Sequence, residues 1–201
     1  MGREIELKIP LSKSQYDDLF SFINGQVLYE GVMVLDTPIF IKKTDEYYSR
    51  YNSKQEQILN GEPQVIRIRS EEKNTKQESY FTIKRKRKEN GIEFNEENET
   101  YIENAQVLRD LFSFSGYQKY FEKCKNAWSC KVSFCDDDGV NTTFHFELEK
   151  VNELLYVEIE CTSEQIEAKK AGQLLEKLVQ KIGLNPKNKD SRSWMKIILE
   201  K

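Results

Sequence analysis

Arg3-Glu4-Ile5-Glu6-Leu7-Lys8-Ile9 begins the chain with a strict two-residue alternation. At that period Glu4, Glu6 and Lys8 share one face, and Ile5, Leu7 and Ile9 share the other. A half-solvated antiparallel strand has the same pattern, so a second stretch is needed to give it meaning. Val157-Glu158-Ile159-Glu160-Cys161 repeats the alternation with two more carboxylates. Placed in one sheet, the two strands gather four carboxylates on one surface, which suits hard divalent cations such as Mg2+ or Mn2+.

Working outward, Val65-Ile66-Arg67-Ile68-Arg69 puts both arginines on one face. Tyr80 to Lys84 runs into a basic stretch ending at Lys88, with Thr82, Lys84 and Lys86 in phase. Asn90-Gly91 predicts a hairpin turn, after which Glu93, Asn95, Glu97, Glu99 and Tyr101 share a face. Lys119, Lys123 and Lys125 are in phase in a strand that continues through Val132 and Phe134. Asp136-Asp137-Asp138-Gly139 lacks the spaced Asp and closing Glu of a calcium loop and is expected to be a plain turn. The returning strand, Thr143 to Lys150, alternates His145, Glu147 and Glu149 with Phe144, Phe146 and Leu148. A strand is also expected over 26–35, closing at the Asp36-Thr37-Pro38 turn.

Four helices are predicted. Ser12 and Gln15 form a capping box ahead of Tyr16, Leu19, Phe20 and Ile23, and Gly25 ends that helix. A second helix covers 104–114. Thr162 and Gln165 cap a long third helix with an apolar stripe through Leu174, Leu175, Leu178, Val179 and Ile182, stopped by Gly183. The fourth covers 191–201, with Trp194, Ile197 and Ile198 inward. Residues 42–63 are polar and are expected to be a long loop or partly helical insertion, a flexible segment rather than a lid.

Composition narrows the function classes. The 201 residues fit a single domain spanning 1–201. With 31 basic and 34 acidic side chains the net charge is -3, which argues against a general polyanion binder. No stretch reaches the length of a membrane span and the N-terminus lacks a signal-peptide core, so no membrane partner and a cytoplasmic location are expected. Four cysteines without Cys-x-x-Cys spacing argue against a zinc site or disulfide framework. The single histidine, His145, excludes paired-histidine chemistry and is expected in the core or on the surface.

Strands with short turns and few helices predict an α+β fold on a closed or nearly closed antiparallel sheet. The charges are sorted by strand: acidic or mixed on the first, fifth and last, purely basic at Arg67/Arg69, Lys84/Lys86 and Lys123/Lys125. A barrel with helices outside and charges inside satisfies both that sorting and the apolar opposite faces. Buried charges are costly alone, and metal ions with a polyanion would offset the cost. The ligand this implies is a short linear polyphosphate with one or two Mg2+ or Mn2+, its oxygens held bidentately by Arg67 and Arg69.

The ordered set Glu4-Ile-Glu6-Leu-Lys8, Asp36-Thr37-Pro38, Arg67-Ile-Arg69, Thr82-Ile-Lys84, Lys123-x-Lys125, Glu149 and Glu158-Ile-Glu160 resembles the CYTH superfamily, the triphosphate tunnel metalloenzymes. The closing Ser191-Arg192-Ser193-Trp194 is similar to the tail of bacterial class IV adenylyl cyclases. The resemblance implies an eight-stranded antiparallel closed barrel with helices packed outside. It implies action on a triphosphate: hydrolysis of tripolyphosphate, thiamine triphosphate, a nucleoside triphosphate or an RNA 5′-triphosphate end, or class IV cyclisation of ATP to cyclic AMP and pyrophosphate. Nucleic acid would enter only as such a 5′ end. A non-catalytic polyphosphate- or nucleic-acid-binding module is a further alternative, against which the acidic pairs argue.

Carried over by position, Glu4, Glu6, Glu149, Glu158 and Glu160 would hold metal. Arg67, Arg69, Lys84, Lys86, Lys123 and Lys125 would hold phosphates, and Glu97 and Glu99 are additional tunnel acids. Lys8, with Glu6, would serve at the reacting phosphate. A homodimer is an expectation from some members. The chain departs from the family pattern at Asn95, where Arg is usual, at Lys125 for Arg, at Glu149 for Asp, and in 42–63.

Overall fold

The computed structural model describes residues 2–62, 64–89, 92–161 and 166–200, with backbone alone at 2–4, 86–89, 93 and 94. Nine antiparallel strands form one sheet: β1 (Gly2–Pro10), β2 (Val32–Val34), β3 (Ile39–Ser49), β4 (Val65–Lys73), β5 (Lys76–Glu89), β6 (Ile92–Tyr101), β7 (Gln118–Cys135), β8 (Asn141–Val151) and β9 (Leu154–Cys161). Among the described residues five α-helices accompany them: α1 (Lys13–Ile23), α2 (Lys54–Leu59), α3 (Ala105–Phe114), α4 (Ala168–Lys181) and α5 (Trp194–Leu199).

The order is β2-β7-β3-β4-β5-β6-β1-β9-β8, so β1 and β9 belong to one sheet and are direct neighbours in it. Eight long strands curl until β7 meets β8, but the two pair only between Asn126–Cys135 and Asn141–Lys150. The 18-residue β7 outruns the 11-residue β8, which starts back from the Asp136–Val140 turn. Over Gln118–Lys125, β7 has β3 as its partner strand among the described residues. The expected closed barrel is therefore a curled eight-stranded sheet, joined along part of its seam. Helix α5 packs on β7, with Lys123 Nζ 5.5 Å from the Trp194 ring centre.

Helices cover the outer face because the apolar residues of alternating strands point there. Leu7, Ile9, Phe144, Phe146, Leu148, Val157 and Ile159 pack with Leu19, Phe22 and Ile23 of α1 and Leu174, Leu175, Leu178 and Val179 of α4. Each such fully buried side chain stabilises by roughly 1.5–3 kcal/mol. Smaller clusters hold α3 through Phe112 against Tyr48, Ile66 and Ile68, and α5 through Trp194 and Ile197 against Val151 and Tyr156.

Local signals behave as their chemistry requires. Ser12 and Gln15 close the capping box of α1. Asp136 Oδ1 accepts from the backbone N–H groups of Asp138 and Val140, which makes Asp136-Asp137-Asp138-Gly139 a turn. Gly183, at φ +79°, follows α4 in a conformation that L side chains rarely adopt. The Thr162–Gln165 capping pair and the Asn90-Gly91 turn lie outside the described residues; α4 starts at Ala168 with no side-chain cap from Glu167.

Two expectations are corrected. The segment expected as a strand over 26–35 contains only the three-residue β2. The polar segment 42–63 divides: 42–49 is the end of β3 rather than loop, whereas 50–62 holds a partly helical stretch as expected, Lys54–Leu59, capped by Ser53.

Candidate active site

The concave face of the sheet is polar, and strand register decides which charges meet there. On β3, Lys43 and Asp45 face Lys125 and Lys123 of β7 on one side, and Glu71 and Arg69 of β4 on the other. Arg67 faces Thr82, Thr82 faces Glu99, and Lys84 faces Glu97. Glu6 and Lys8 of β1 face Glu160 and Glu158 of β9, which in turn face His145 and Glu147 of β8.

These side chains enclose a cavity of about 330 Å³ that narrows to a second of about 50 Å³. Glu6, Arg67, Arg69, Lys84, Lys125 and Glu158 border both. Lys8 and Lys123 line the narrow part, beside Trp194, whereas Glu97, Glu99 and Glu160 line the wide part. Glu149 lines neither; it is fully buried and ion-paired with Lys125. The side chains of Glu4 and Lys86 lie outside the described set.

Asp45, wholly buried, is the central anion. Its carboxylate accepts from Arg69 Nε at 2.6 Å and Nη2 at 3.1 Å, and pairs with Lys123 at 3.0 Å and Arg67 at 4.0 Å. Burial pushes its carboxyl upward, but Arg69, Lys123 and Arg67 outweigh that and hold it well below the usual range. Arg67 also donates to Glu97, Glu99 and Thr82, each at 3.1 Å, and Lys84 pairs with Glu97 at 3.0 Å. Glu147 bridges Lys43 and Lys125, the latter at 2.8 Å; against its burial, the two lysines hold it well below its ordinary value.

Glu149 and Glu158 diverge. Burial, then the Glu158 charge, push Glu149 up to about 7. Burial raises Glu158 too, yet Lys125, Lys123 and Lys8 outweigh it and bring Glu158 down to about 2. Trp194 Nε1 donates to Glu158 at 3.5 Å.

The structure corrects three sequence expectations. The strand of Arg67 and Arg69 is not purely basic inside: Glu71 of β4 lies on the same face, among Lys43, Arg69 and Lys73. Lys119 leaves the phase of Lys123 and Lys125, because a register shift between Tyr47 and Tyr48 sets it opposite Tyr48, exposed beside Glu122. His145 is neither core nor plain surface; it forms part of the cavity wall, Nε2 2.8 Å from Ser129 Oγ. Sequence reasoning missed Lys43, Asp45 and Glu71 as site residues; the alternation Lys43, Asp45, Tyr47 was the available signal.

Among the described residues, no three carboxylate, thiolate and imidazole groups form a ready metal cage. Divalent ions in phosphate-handling sites need less: one or two carboxylates, with substrate oxygens and water completing the shell. Glu6 and Glu160, opposed across β1 and β9 at the cavity, are hard oxygen donors of that kind.

A CYTH domain model matches residues 2–194, and the chain belongs to that family. A search of curated proteins finds no match. The fold is similar to the PH1819 protein of Pyrococcus horikoshii, at 18% identity over 98% of each chain and a TM-score of 0.71. It is also similar to a candidate adenylate cyclase of Vibrio parahaemolyticus, at 16% identity over 98% of this chain and 97% of that one, with a TM-score of 0.64. HpAC1 of Hippeastrum, a protein with a dominant triphosphatase activity, aligns at 14% identity over 100% of this chain and 96% of its own, with a TM-score of 0.58.

Proposed function

We propose that this chain is a divalent-metal-dependent phosphohydrolase acting on a short triphosphate: tripolyphosphate, thiamine triphosphate or a nucleoside triphosphate. One observation carries the reading. The wide cavity is lined by six lysine and arginine side chains and seven glutamates, so its walls alone have no positive surplus for a polyanion. Phosphate oxygens would find donors in the guanidinium and ammonium groups, and Glu6, Glu158 and Glu160 would hold divalent ions whose charge makes up the deficit. A simple anion-binding pocket would have no use for carboxylates beside phosphates. Family membership and the triphosphatase activity of HpAC1 support the same class of reaction.

In this reading Arg67, Arg69, Lys84 and Lys125 grip the phosphate chain where the two cavities join. Each charge-assisted hydrogen bond contributes on the order of 1.5–3 kcal/mol. Asp45 and Glu97 keep Arg67 and Arg69 extended toward the cavity before substrate arrives, so little reorganisation accompanies binding. Lys8, at the narrow end, orients the reacting terminus. Bound Mg2+ or Mn2+ would neutralise charge developing on the phosphate oxygens.

Product analysis tests this reading. The protein is incubated with tripolyphosphate, thiamine triphosphate and ATP, with Mg2+ or Mn2+ and with chelator. Metal-dependent orthophosphate release is expected. Cyclic AMP with pyrophosphate would establish a class IV cyclase instead, and binding without turnover of any triphosphate would establish a binding module.

A further inference from the structure

The chain has one histidine, and it lies in the wall of the wide cavity. Its register partner on β9 is Glu160, and its ring lies between two carboxylates. Nδ1 is 3.7 Å from Glu160 Oε2, and Nε2 is 3.7 Å from Glu147 Oε1 and 2.8 Å from Ser129 Oγ. Ser129 and Glu147 are themselves opposed across β7 and β8, so the hydroxyl is fixed by the sheet beside the ring.

These spacings differ in kind. The Nε2 contact is a hydrogen bond, whereas 3.7 Å is too long for one. It is, however, the separation of two donors that flank one ion: atoms each about 2.1 Å from a shared cation stand roughly 3–4 Å apart. Glutamate neighbours of the cavity, Glu71, Glu97 and Glu147, pair with lysine or arginine. Glu160 has no lysine or arginine partner among the described residues. Either group can donate in the Ser129 contact; in the tautomer where Nε2–H donates to Ser129 Oγ, the Nδ1 lone pair faces Glu160.

We propose that His145 Nδ1 and Glu160 together ligate a divalent ion in the wide cavity, with Ser129 as the positioning residue that fixes the imidazole tautomer. Imidazole nitrogen favours first-row transition ions, whereas an all-oxygen site suits Mg2+. The site therefore prefers Mn2+ or Co2+ to Mg2+. This inference rests on the metal-dependent reading above and adds the identity of a ligand and of the preferred ion class.

Mn2+ is the probe, bound to the full tag-free chain with tripolyphosphate present, and pulsed EPR is the readout. Imidazole 14N modulation is expected in the wild type and lost in His145→Gln; with a single histidine, its source is unambiguous. Ser129→Ala, which keeps the ring, is expected to weaken Mn2+ binding by about tenfold in calorimetry while Mg2+ binding changes little. Mn2+ bound with no 14N modulation overturns the His145 assignment and leaves the metal-dependent reading standing. So does Mn2+ affinity that is unchanged in both variants. Absence of binding by Mn2+ and Mg2+ overturns both.

Discussion

Replacing Asp45 with asparagine removes one charge and almost no volume, at the point where three cations converge. Arg69 loses a two-point partner at 2.6 and 3.1 Å, Lys123 loses its 3.0 Å partner, and Arg67 loses a nearby anion. Breaking a buried ion pair from one side costs about 3–5 kcal/mol, because the remaining charge is left uncompensated. For a chain of this length each kcal/mol moves Tm by about 2–4 °C, so a fall of about 6–20 °C is expected. A polyanion supplies the missing charge, so tripolyphosphate should raise the Tm of Asp45→Asn by more degrees than it raises that of the wild type. Adding Arg69→Gln removes the stranded cation and should cost less than the two single changes combined. Differential scanning calorimetry with and without tripolyphosphate measures all three. An Asp45→Asn Tm within 2 °C of wild type, or equal ligand shifts in both proteins, would refute Asp45 as the organiser of the cations.

Other substitutions probe separate parts of the site. Glu158→Gln and Glu6→Gln should each abolish metal-dependent orthophosphate release while circular dichroism stays native; normal turnover in both would remove the assigned metal side. Arg67→Gln should weaken substrate binding by on the order of 1.5–3 kcal/mol, roughly 10- to 150-fold, read as a rise in KM or in Kd. Acid stability should depend on Asp190, which accepts from Tyr156 Oη at 3.0 Å and from Arg192 at 2.7 Å. Burial raises its carboxyl, yet the Arg192 and Tyr156 hydrogen bonds bring it down to about 2 from 3.8. A depressed folded-state value means the stabilisation is complete above pH 3.8 and is lost as pH falls toward 2. Asp190→Asn should flatten that part of the acid-unfolding curve, and an identical curve would exclude the linkage.

How far the sequence could be read depended on contrast between the two faces of each strand. In β1, β8 and β9 a charged line alternates with Ile, Leu, Val or Phe, so both the strands and their inward residues were legible. In β3 that contrast fails: Lys43, Asp45 and Tyr47 point inward, while Lys42, Thr44 and Glu46 lie on the other face. Polar residues on both faces carry no period-two hydropathy signal, and the strand reads as loop. Partner choice was hidden for another reason. That Asp45 meets Arg69 and Lys123 depends on the register of three strands distant in sequence, and one slip at Tyr47/Tyr48 sends Lys119 outward. The partial seam between β7 and β8 is likewise a matter of strand length, not composition.

The tapering interior also constrains traffic. Near Trp194 the space shrinks to about 50 Å³, against about 330 Å³ at the opposite end. Under the proposed function, a phosphate chain entering from the roomy end would bring its leading phosphate to the narrow part, beside Lys8 and Lys123. The taper would then gauge ligand length, because a chain too short to reach Lys8 and Lys123 forfeits their charges and one too bulky at its leading end cannot enter.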